Sequence, residues 1–335
     1  MKLLRKILLP FVPIYKAITW TRNYAYNHNI LKSRSYDTPV ICVGNLSVGG
    51  TGKTPMIEYL IRLLQNDHKV ATLSRGYKRT TKGFILADET ATAKTIGDEP
   101  LQFYNKFKNI FVAVDTNRQH GIEQLLKFQN APDVILLDDA FQHRRVRAGL
   151  NVLLSSYHKL YVDDMSLPTG DLREPISGAK RADIIVITKC PEALDLRQKN
   201  DIIKKLNKAP HQKVFFSWIN YANEIISVNN RKPLSDLKTD TFTLVTGIAN
   251  AGHLVTYLER LGLNFEHLNF GDHHHFTNTE LERLKQKKTI LTTEKDFTRL
   301  RDYLEHEQLY YLPIKVRLDN EEGFNSSVKD FVNSF

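Results

Sequence analysis

Residues 39–58 constrain the fold more than any other stretch, because an apolar strand runs into a glycine-rich turn and then into a helix. Gly49, Gly50 and Gly52 can adopt backbone angles closed to other residues, so successive N–H groups can point at phosphate oxygens. The helix that follows adds the positive end of its dipole. This order is typical of a phosphate-binding P-loop of the pattern G-x-x-x-x-G-K-[ST]. The alternative is a Gly/Ser loop with an incidental lysine.

The pattern predicts a role for each residue of the loop. Lys53 is expected to reach the β- and γ-phosphates of a nucleotide, and Thr54 to offer its hydroxyl to Mg²⁺. Ser47 occupies the position of the first glycine, and Gly44 lies three residues too early, so we expect the tight turn to be built differently. The predicted nucleotide-binding residues are Ser47, Val48, Gly49, Gly50, Thr51, Gly52, Lys53 and Thr54.

Composition sets wide bounds on the rest of the chain. The 335 residues are 41% hydrophobic and 25% charged, which is ordinary for a globular protein with room for two domains. The formal charge of +10 indicates an anionic partner, with nucleic acid, nucleotide phosphates and an acidic membrane surface all eligible. Cys42 and Cys190 both lie in apolar runs, so a disulfide framework is not expected and a reducing cytoplasm fits.

Residues 1–30 have the pattern of a membrane-contact segment. The apolar run 7–14 is too short to span a bilayer and is interrupted by Pro10 and Pro13, with lysine and arginine on either side. The segment lacks the unbroken apolar core and the small-residue cleavage site that are typical of a signal peptide. A monotopic anchor on anionic headgroups suits the segment, and the alternative is a helix packed on the domain core.

From residue 39 onward, strand and helix patterns alternate, which predicts an α/β fold. Strands at 40–43 and 70–73 flank a helix at 54–65, which is a βαβ unit of a parallel sheet with helices on its faces. Further strands are predicted at 111–114, 133–137, 151–154 and 184–188. Residues 214–219 and 224–228 alternate about 220–223 and are predicted to form a β-hairpin.

Candidate site residues follow two of these strands. The strand at 133–137 runs into Asp138 and Asp139, a Walker-B arrangement in which a rigid strand brings a carboxylate beside the P-loop to hold Mg²⁺. Arg75 and Tyr77 follow the strand at 70–73, where a basic cluster could meet phosphate or could be a solvated loop. Asp98 precedes a predicted helix, so its simplest role is a helix cap.

Taken together, the motifs resemble the tetraacyldisaccharide 4'-kinase family of lipid A biosynthesis. The matching segments run in the expected order through nearly the whole chain, with Ala140 where the family more often has glycine: 44–54, 74–77, 97–100, 138–143, 167–174, 272–273 and 293–296. The resemblance implies a kinase that uses ATP and Mg²⁺ to phosphorylate the 4'-hydroxyl of an acylated glucosamine disaccharide 1-phosphate, giving lipid IVA. It also implies a location at the cytoplasmic face of the inner membrane, peripheral or monotopic.

The resemblance further implies an architecture of two domains. A P-loop nucleotide-binding kinase domain at 31–212 would be joined by a β-ribbon linker at 213–240 to a smaller α/β domain at 241–335. Strands of this second domain are predicted near 242–248, 288–292 and 310–316.

Catalytic residues are implied in the same way. Asp98 would be the general base with His273 as its partner across the two domains, and Arg173 would neutralise charge near the transferred phosphate. As an isolated pair, Arg173 and Glu174 would more often form a surface salt bridge. A metal reading of the three histidines at 273–275 is disfavoured because adjacent side chains diverge. The candidate substrate or phosphate contacts are Asn45, Arg75, Tyr77, His143 and Glu174.

Two other functions remain open, a P-loop ATPase or GTPase switch and a nucleotide-dependent nucleic-acid-binding protein. Residues 188–191 lack the Asn and Asp of a guanine-reading signature, so GTP has no specific support. No nucleic-acid module is present in the sequence, and the apolar, basic N-terminus favours a lipid acceptor. The sequence does not indicate an oligomeric state.

Overall fold

A computed structural model describes residues 5–272 and 274–335 of the chain. Its strands belong to two sheets, which confirms the α/β class. In chain order they are β1 Val40–Asn45, β2 Val70–Ser74, β3 Ile85–Leu86, β4 Phe111–Val114, β5 Val134–Asp138, β6 Leu150–Ser156, β7 Ile184–Thr188, β8 Lys213–Tyr221, β9 Glu224–Ile226, β10 Arg231–Pro233, β11 Phe242–Thr246, β12 Phe265–Asn269, β13 Ile290–Thr292, β14 Leu309–Tyr311 and β15 Ile314–Leu318.

Helices lie on the faces of the sheets, and further helices come before β1 and after β15 along the chain. They are α1 Val12–Asn27, α2 Lys53–Leu64, α3 Ala93–Ile96, α4 Asp98–Lys106, α5 Arg118–Leu125, α6 Leu196–Leu206, α7 Gly252–Arg260, α8 Asn278–Lys285, α9 Glu294–Leu300 and α10 Glu321–Val332. Short 3₁₀ helices lie at Lys6–Phe11, Tyr161–Asp163, Ile176–Arg181 and Leu234–Lys238.

The first sheet has nine strands among the described residues, in the order β15-β8-β7-β6-β1-β5-β2-β4-β3. Strand β1 lies inside it, paired in parallel with β5 and β6. Alternate residues of β1 enter two separate cores, Val40 and Cys42 on one face and Ile41 and Val43 on the other. Strands buried on both faces are continuous apolar runs, which is why this sheet could be predicted from sequence.

Helix α2 packs on the second of these cores. Its buried residues Met56, Ile57, Leu60 and Ile61 recur at helical spacing and form one apolar stripe. The helix begins at Lys53, directly after its N-cap Gly52. The P-loop is therefore attached to a helix that cannot rotate without exposing its core face.

The second sheet has six strands in the described part of the chain, in the order β10-β9-β14-β13-β11-β12. Strand β11 pairs in parallel with β12 and β13, and antiparallel β9 and β10 form the edge. Its own cores include Leu244, Leu258 and Leu291 on one side and Leu284 and Leu300 on the other. The smaller α/β unit thus has an independent hydrophobic interior.

Strand pairing corrects the predicted hairpin. Strand β8 pairs with β7 and β15, whereas β9 pairs with β10 and, at one position, with β14. Sequence alternation identifies a strand but not its partner, and the antiparallel partner of β8 is β15, far along the chain, whereas β9 pairs with the nearby β10. The connection between the two sheets is the antiparallel pair β8 and β15.

The predicted strand at 310–316 is two strands in different sheets. Strand β14 ends at Tyr311, and β15 begins at Ile314, after Pro313. Beyond it, Phe324 and Val328 of α10 pack in the same core as α2. Residues 213–221 and 314–335 therefore lie with the first sheet, which shifts the boundaries predicted at 213–240 and 241–335.

Helix α1 has one face against the protein and another exposed. Val12, Asn23 and Tyr26 are buried, whereas Ile14 and Ile18 are exposed. The Tyr15 hydroxyl donates to the Arg173 carbonyl oxygen at 2.8 Å. Among the described residues, no helix is both long and apolar enough to span a bilayer.

Candidate active site

The P-loop connects β1 to α2 and is shaped by a left-handed residue. Gly52 has φ of +86° and is the N-cap of α2, so a side chain at this position would be strained. The Thr51 N–H donates to the Gly49 carbonyl oxygen at 3.1 Å. The glycines thus serve the backbone geometry that the sequence predicts for phosphate binding.

Ser47 stands in the first-glycine position because a second segment replaces the tight turn. Ser47 forms an isolated antiparallel bridge with Leu172. On either side of it, the Arg173 N–H donates to the Leu46 carbonyl at 2.7 Å and the Val48 N–H donates to the Asp171 carbonyl at 2.8 Å. The loop at 167–174 therefore pairs with the start of the P-loop like a short strand.

Gly44, the glycine three residues earlier, has a different purpose. A Cβ on Gly44 would lie 2.6 Å from the Cβ of Phe141. This close approach brings the segment after β5 against the end of β1. Gly44 thus serves packing between the two strand ends rather than the phosphate turn.

Asp138 ends β5 in a buried position with an unused oxygen. The Ser74 hydroxyl donates to Asp138 Oδ2 at 3.3 Å, while Oδ1 has no hydrogen-bond partner among the described residues. Burial, aided by the neighbouring charge of Asp139, raises the Asp138 pKa to about 6. A buried carboxylate oxygen without a partner is costly, so a cation or a water at Oδ1 would relieve it.

Asp139 carries its charge between two cations. Its Oδ1 lies 3.8 Å from Lys53 Nζ and 2.8 Å from an Arg173 nitrogen. Burial opposes ionisation, but Lys53 and Arg173 together hold the pKa of Asp139 below its usual value. The backbone of Asp139 is left-handed, with φ of +49°. The P-loop lysine, the strand-end carboxylate and Arg173 therefore meet in the structure, and their roles toward a nucleotide stay predictions.

These groups fit a magnesium ion of the kind used in phosphoryl transfer. Mg²⁺ takes oxygen ligands and is usually held by one or two carboxylates together with substrate phosphates. Asp138 and Asp139 provide the carboxylates, and Thr54 follows Lys53 at the start of α2. Larger clusters of three or more His, Cys, Asp or Glu able to hold a metal are absent from the described residues.

Asn45 and Glu174, predicted as possible substrate or phosphate contacts, are both buried. Asn45 is fully buried, donates from Nδ2 to the Thr51 hydroxyl at 2.8 Å and accepts from Arg173. Glu174 is buried and ion-pairs with Arg181 at 2.8 Å, not with Arg173. The surface salt bridge considered for Arg173 and Glu174 is therefore wrong. The burial of both side chains and their bonds to neighbouring residues favour a role in positioning the loops over direct contact with the substrate.

The remaining candidate contacts border a cleft of about 1530 Å³ between the two sheets. Arg75, Tyr77 and His143 line it together with the P-loop and both strand-end carboxylates. Burial, together with Arg118, lowers the His143 pKa to about 4, so the imidazole is neutral at pH 7. The three residues therefore lie in one cleft with the P-loop, and their contact with substrate or phosphate stays a prediction.

Asp98 lies where the two sheets approach each other. It is the first residue of α4, whose N-cap is Gly97, and that cap makes no side-chain hydrogen bond, so the helix-cap alternative is wrong. Instead, Arg299 of α9 donates from Nε to Asp98 Oδ2 at 3.0 Å. His273 is outside the described residues, so its pairing with Asp98 stays a prediction.

Sequence reasoning missed the contacts that join α4 to the second sheet. Lys295 of α9 lies 3.0 Å from Glu99, and Lys106 contacts Glu294 at 2.7 Å. The segment 293–296, which matches a family motif, lies against α4. Charge alternates only at 294–296, and such a local pattern does not identify partners so far apart.

The P-loop, the carboxylates at the end of β5 and the arginine between them define a nucleotide-dependent phosphotransferase of the P-loop class. A family model described as "Tetraacyldisaccharide-1-P 4'-kinase" matches residues 4–333. The chain belongs to this family.

Individual relatives agree with this assignment. The chain is 51% identical to the tetraacyldisaccharide 4'-kinase of Flavobacterium johnsoniae, over 99% of this chain and 98% of that protein. It is 43% identical to the tetraacyldisaccharide 4'-kinase of Bacteroides thetaiotaomicron, over 98% of this chain and 93% of the relative. The crystal structure of "apo" form LpxK from Aquifex aeolicus in complex with ATP has a TM-score of 0.79 and 32% identity, covering 98% and 99% of the two chains.

Proposed function

We propose that this chain transfers the γ-phosphate of ATP to the 4'-hydroxyl of tetraacyldisaccharide 1-phosphate, which gives lipid IVA in lipid A biosynthesis. Family membership supports the reaction and the lipid acceptor, and the ATP-bound relative supports the donor. The observation in this chain that carries the proposal is the meeting of Lys53, Asp139 and Arg173 at the mouth of the P-loop.

The chain's own groups act on the phosphates by position and charge. Phosphoryl transfer has little covalent chemistry for the protein to perform, so catalysis depends on alignment and electrostatic stabilisation. The P-loop amides and Lys53 hold the β- and γ-phosphates, and Arg173 stabilises charge on the transferred group. Asp138, Asp139 and Thr54 would hold Mg²⁺, which neutralises phosphate charge when bound.

Proton removal from the acceptor is assigned to Asp98. A sugar hydroxyl is a poor nucleophile at neutral pH, so a carboxylate within hydrogen-bond reach accelerates attack by accepting its proton. Arg299 fixes one oxygen of Asp98, which orients the carboxylate. His273 is proposed to complete the pair from the second sheet, so that assembly of the base depends on the two units lying together.

The acceptor is a lipid, and the N-terminal segment suits a membrane surface. Ile7, Phe11, Ile14, Ile18 and Trp20 are exposed apolar side chains on adjoining helical segments. A helix that exposes such residues beside cations favours the interface of an anionic membrane. We accordingly propose a peripheral or monotopic location at the cytoplasmic face of the inner membrane, with no nucleic-acid partner.

The test supplies Mg²⁺, labelled ATP and the disaccharide lipid in detergent and follows label into the lipid. Lys53→Ala and Thr54→Ala should each lower kcat by about 10²- to 10³-fold while the protein remains folded. Lys204→Ala, on the exposed side of α6, is the charge-matched control and should behave like wild type. Absence of lipid labelling by the wild-type protein, or full activity of folded Lys53→Ala, would refute the assignment.

A further inference from the structure

The end of β7 holds two consecutive carbonyl groups of the P-loop. The Thr188 hydroxyl donates to the Thr51 carbonyl oxygen at 2.8 Å. Lys189 Nζ donates to the Gly50 carbonyl oxygen at 2.6 Å. Lys189 has φ of +59°, a left-handed conformation that aims the residue after the strand toward the loop. Neither side chain belongs to the P-loop motif.

Anchoring a carbonyl also orients the amide that follows it. The peptide unit is planar and trans, so its C=O and the next N–H point in opposite directions. Fixing the carbonyls of Gly50 and Thr51 therefore fixes the N–H groups of Thr51 and Gly52. The Thr51 N–H already donates to the Gly49 carbonyl, so the bond from Lys189 to the Gly50 carbonyl holds this turn of the loop. The bond from Thr188 to the Thr51 carbonyl orients the Gly52 N–H toward a phosphate. Both bonds restrict a glycine-rich backbone that is otherwise free to adopt many conformations.

Lys189 also adds positive charge beside Lys53. Its ammonium donates to a neutral carbonyl, and burial, together with the charge of Lys53, lowers the Lys189 pKa. Asp272 of the second unit acts in the opposite direction. Two ammonium groups that repel each other across a loop are stabilised by a polyanion bound between them.

We propose that Lys189 is a positioning residue of the nucleotide site, which holds the Gly50–Thr51 peptide and supplies a second positive charge for the phosphates. The inference rests on the nucleotide site of the proposed function and adds to it a residue outside the P-loop motif. Because Lys189 reaches the loop rather than the base, it should discriminate between nucleotides by the number of their phosphates.

Calorimetric titration of nucleotide without any lipid tests this role. For Lys189→Met we expect ADP affinity to fall about tenfold, which corresponds to ~1.4 kcal/mol and to the loss of one hydrogen bond from a charged group. AMP affinity should change less than about threefold, since fewer phosphates lie in the loop. Lys204→Met removes the same charge from the exposed face of α6 and should leave both affinities unchanged.

A second variant separates charge from hydrogen bonding. Lys189→Gln keeps a donor for the Gly50 carbonyl but removes the charge, and it replaces Lys189→Met if that variant does not fold. It should still lose most of the preference for ADP over AMP. ADP affinity within twofold of wild type, or equal losses for ADP and AMP, would overturn the proposal.

The outcome is independent of the lipid reaction. A wild-type protein that binds ADP and labels no lipid would remove the acceptor assignment and leave the role of Lys189 intact. Normal lipid labelling by the wild-type protein with an unchanged ADP affinity in Lys189→Met would remove the role of Lys189 and leave the acceptor assignment intact.

Discussion

Lys106 joins the P-loop helix to the second sheet, and its removal gives a quantitative test of that contact. Its Nζ lies 2.7 Å from Glu58 of α2 and 2.7 Å from Glu294 of α9. The side chains of Lys106, Glu58 and Glu294 are 20%, 2% and 11% exposed. Lys106→Met would leave two closely spaced, largely buried carboxylates without the cation between them.

The expected loss is about 2–3 kcal/mol of unfolding free energy. Removing one partner of a buried ion pair costs about 3–5 kcal/mol, because the other charge stays buried. The loss should fall below that range, because Arg62 and Gln102 still bond Glu58 at 2.8 Å. In addition, Lys106 and Glu294 are partly exposed, so solvent screens their charges. Lys108→Met, two residues later and exposed, should cost less than about 0.5 kcal/mol.

The loss should also depend on pH in a defined direction. Burial, together with the charge of Glu58, raises the pKa of Glu294 above its usual value, and Lys106 opposes this. Lys106→Met should therefore raise the pKa of Glu294 further. A glutamate whose folded pKa exceeds its unfolded pKa contributes its stability while protonated and loses it as the pH rises through the folded pKa. The destabilisation should therefore be larger at pH 8 than at pH 5.

Urea unfolding at both pH values, followed by circular dichroism, measures this effect. Lys106→Met combined with Glu294→Gln should recover part of the loss at pH 8, because only one buried carboxylate remains charged. A loss below about 1 kcal/mol at pH 8, or one that is equal at both pH values, would show that Lys106 is not the structural cation of this contact.

Two further predictions concern catalysis and membrane contact. Asp98→Ala should lower kcat by about 10²- to 10⁴-fold with ATP affinity nearly intact, and His273→Ala should lower kcat less. The double variant should have a kcat only slightly below that of Asp98→Ala, because the two residues act as one unit. Multiplicative losses of kcat in steady-state kinetics would show that they act independently. Deleting residues 1–22 should weaken flotation with anionic vesicles and make it insensitive to salt while ATP binding persists, and unchanged flotation of the folded truncation would remove the anchor.

The parts of the fold that could be predicted are those determined locally. Strands 111–114 and 184–188 were predicted with their observed bounds, since each is a short apolar run between polar segments. The P-loop and Asp138–Asp139 could be identified because a few adjacent residue types define them. These features need no knowledge of what lies across the sheet.

The errors arise where distant segments meet. The pairing of β8 with β15 rather than β9 joins two segments that lie far apart in the sequence. The helix-cap alternative for Asp98 depended only on its position before a helix, whereas its observed partner Arg299 lies far along the chain. Glu174 looked like one half of a surface pair, whereas Asn23 and Gln142 both donate to it in the interior. A local sequence pattern does not indicate which distant residues will be in contact.

The antiparallel pair β8 and β15 has a consequence for how the protein is made. The Ala222 N–H donates to the Pro313 carbonyl at 2.9 Å, so the segment between them leaves the first sheet and returns to the same point. On the far side of that return, Asn325 accepts a hydrogen bond from Tyr59 of α2 at 2.8 Å. Closing so long a loop costs little more than closing a short one, because the entropy grows only logarithmically with length. During synthesis, however, the core beneath the P-loop helix stays open until β15 and α10 have left the ribosome. The nucleotide site therefore acquires its full support only after the second sheet has been synthesised.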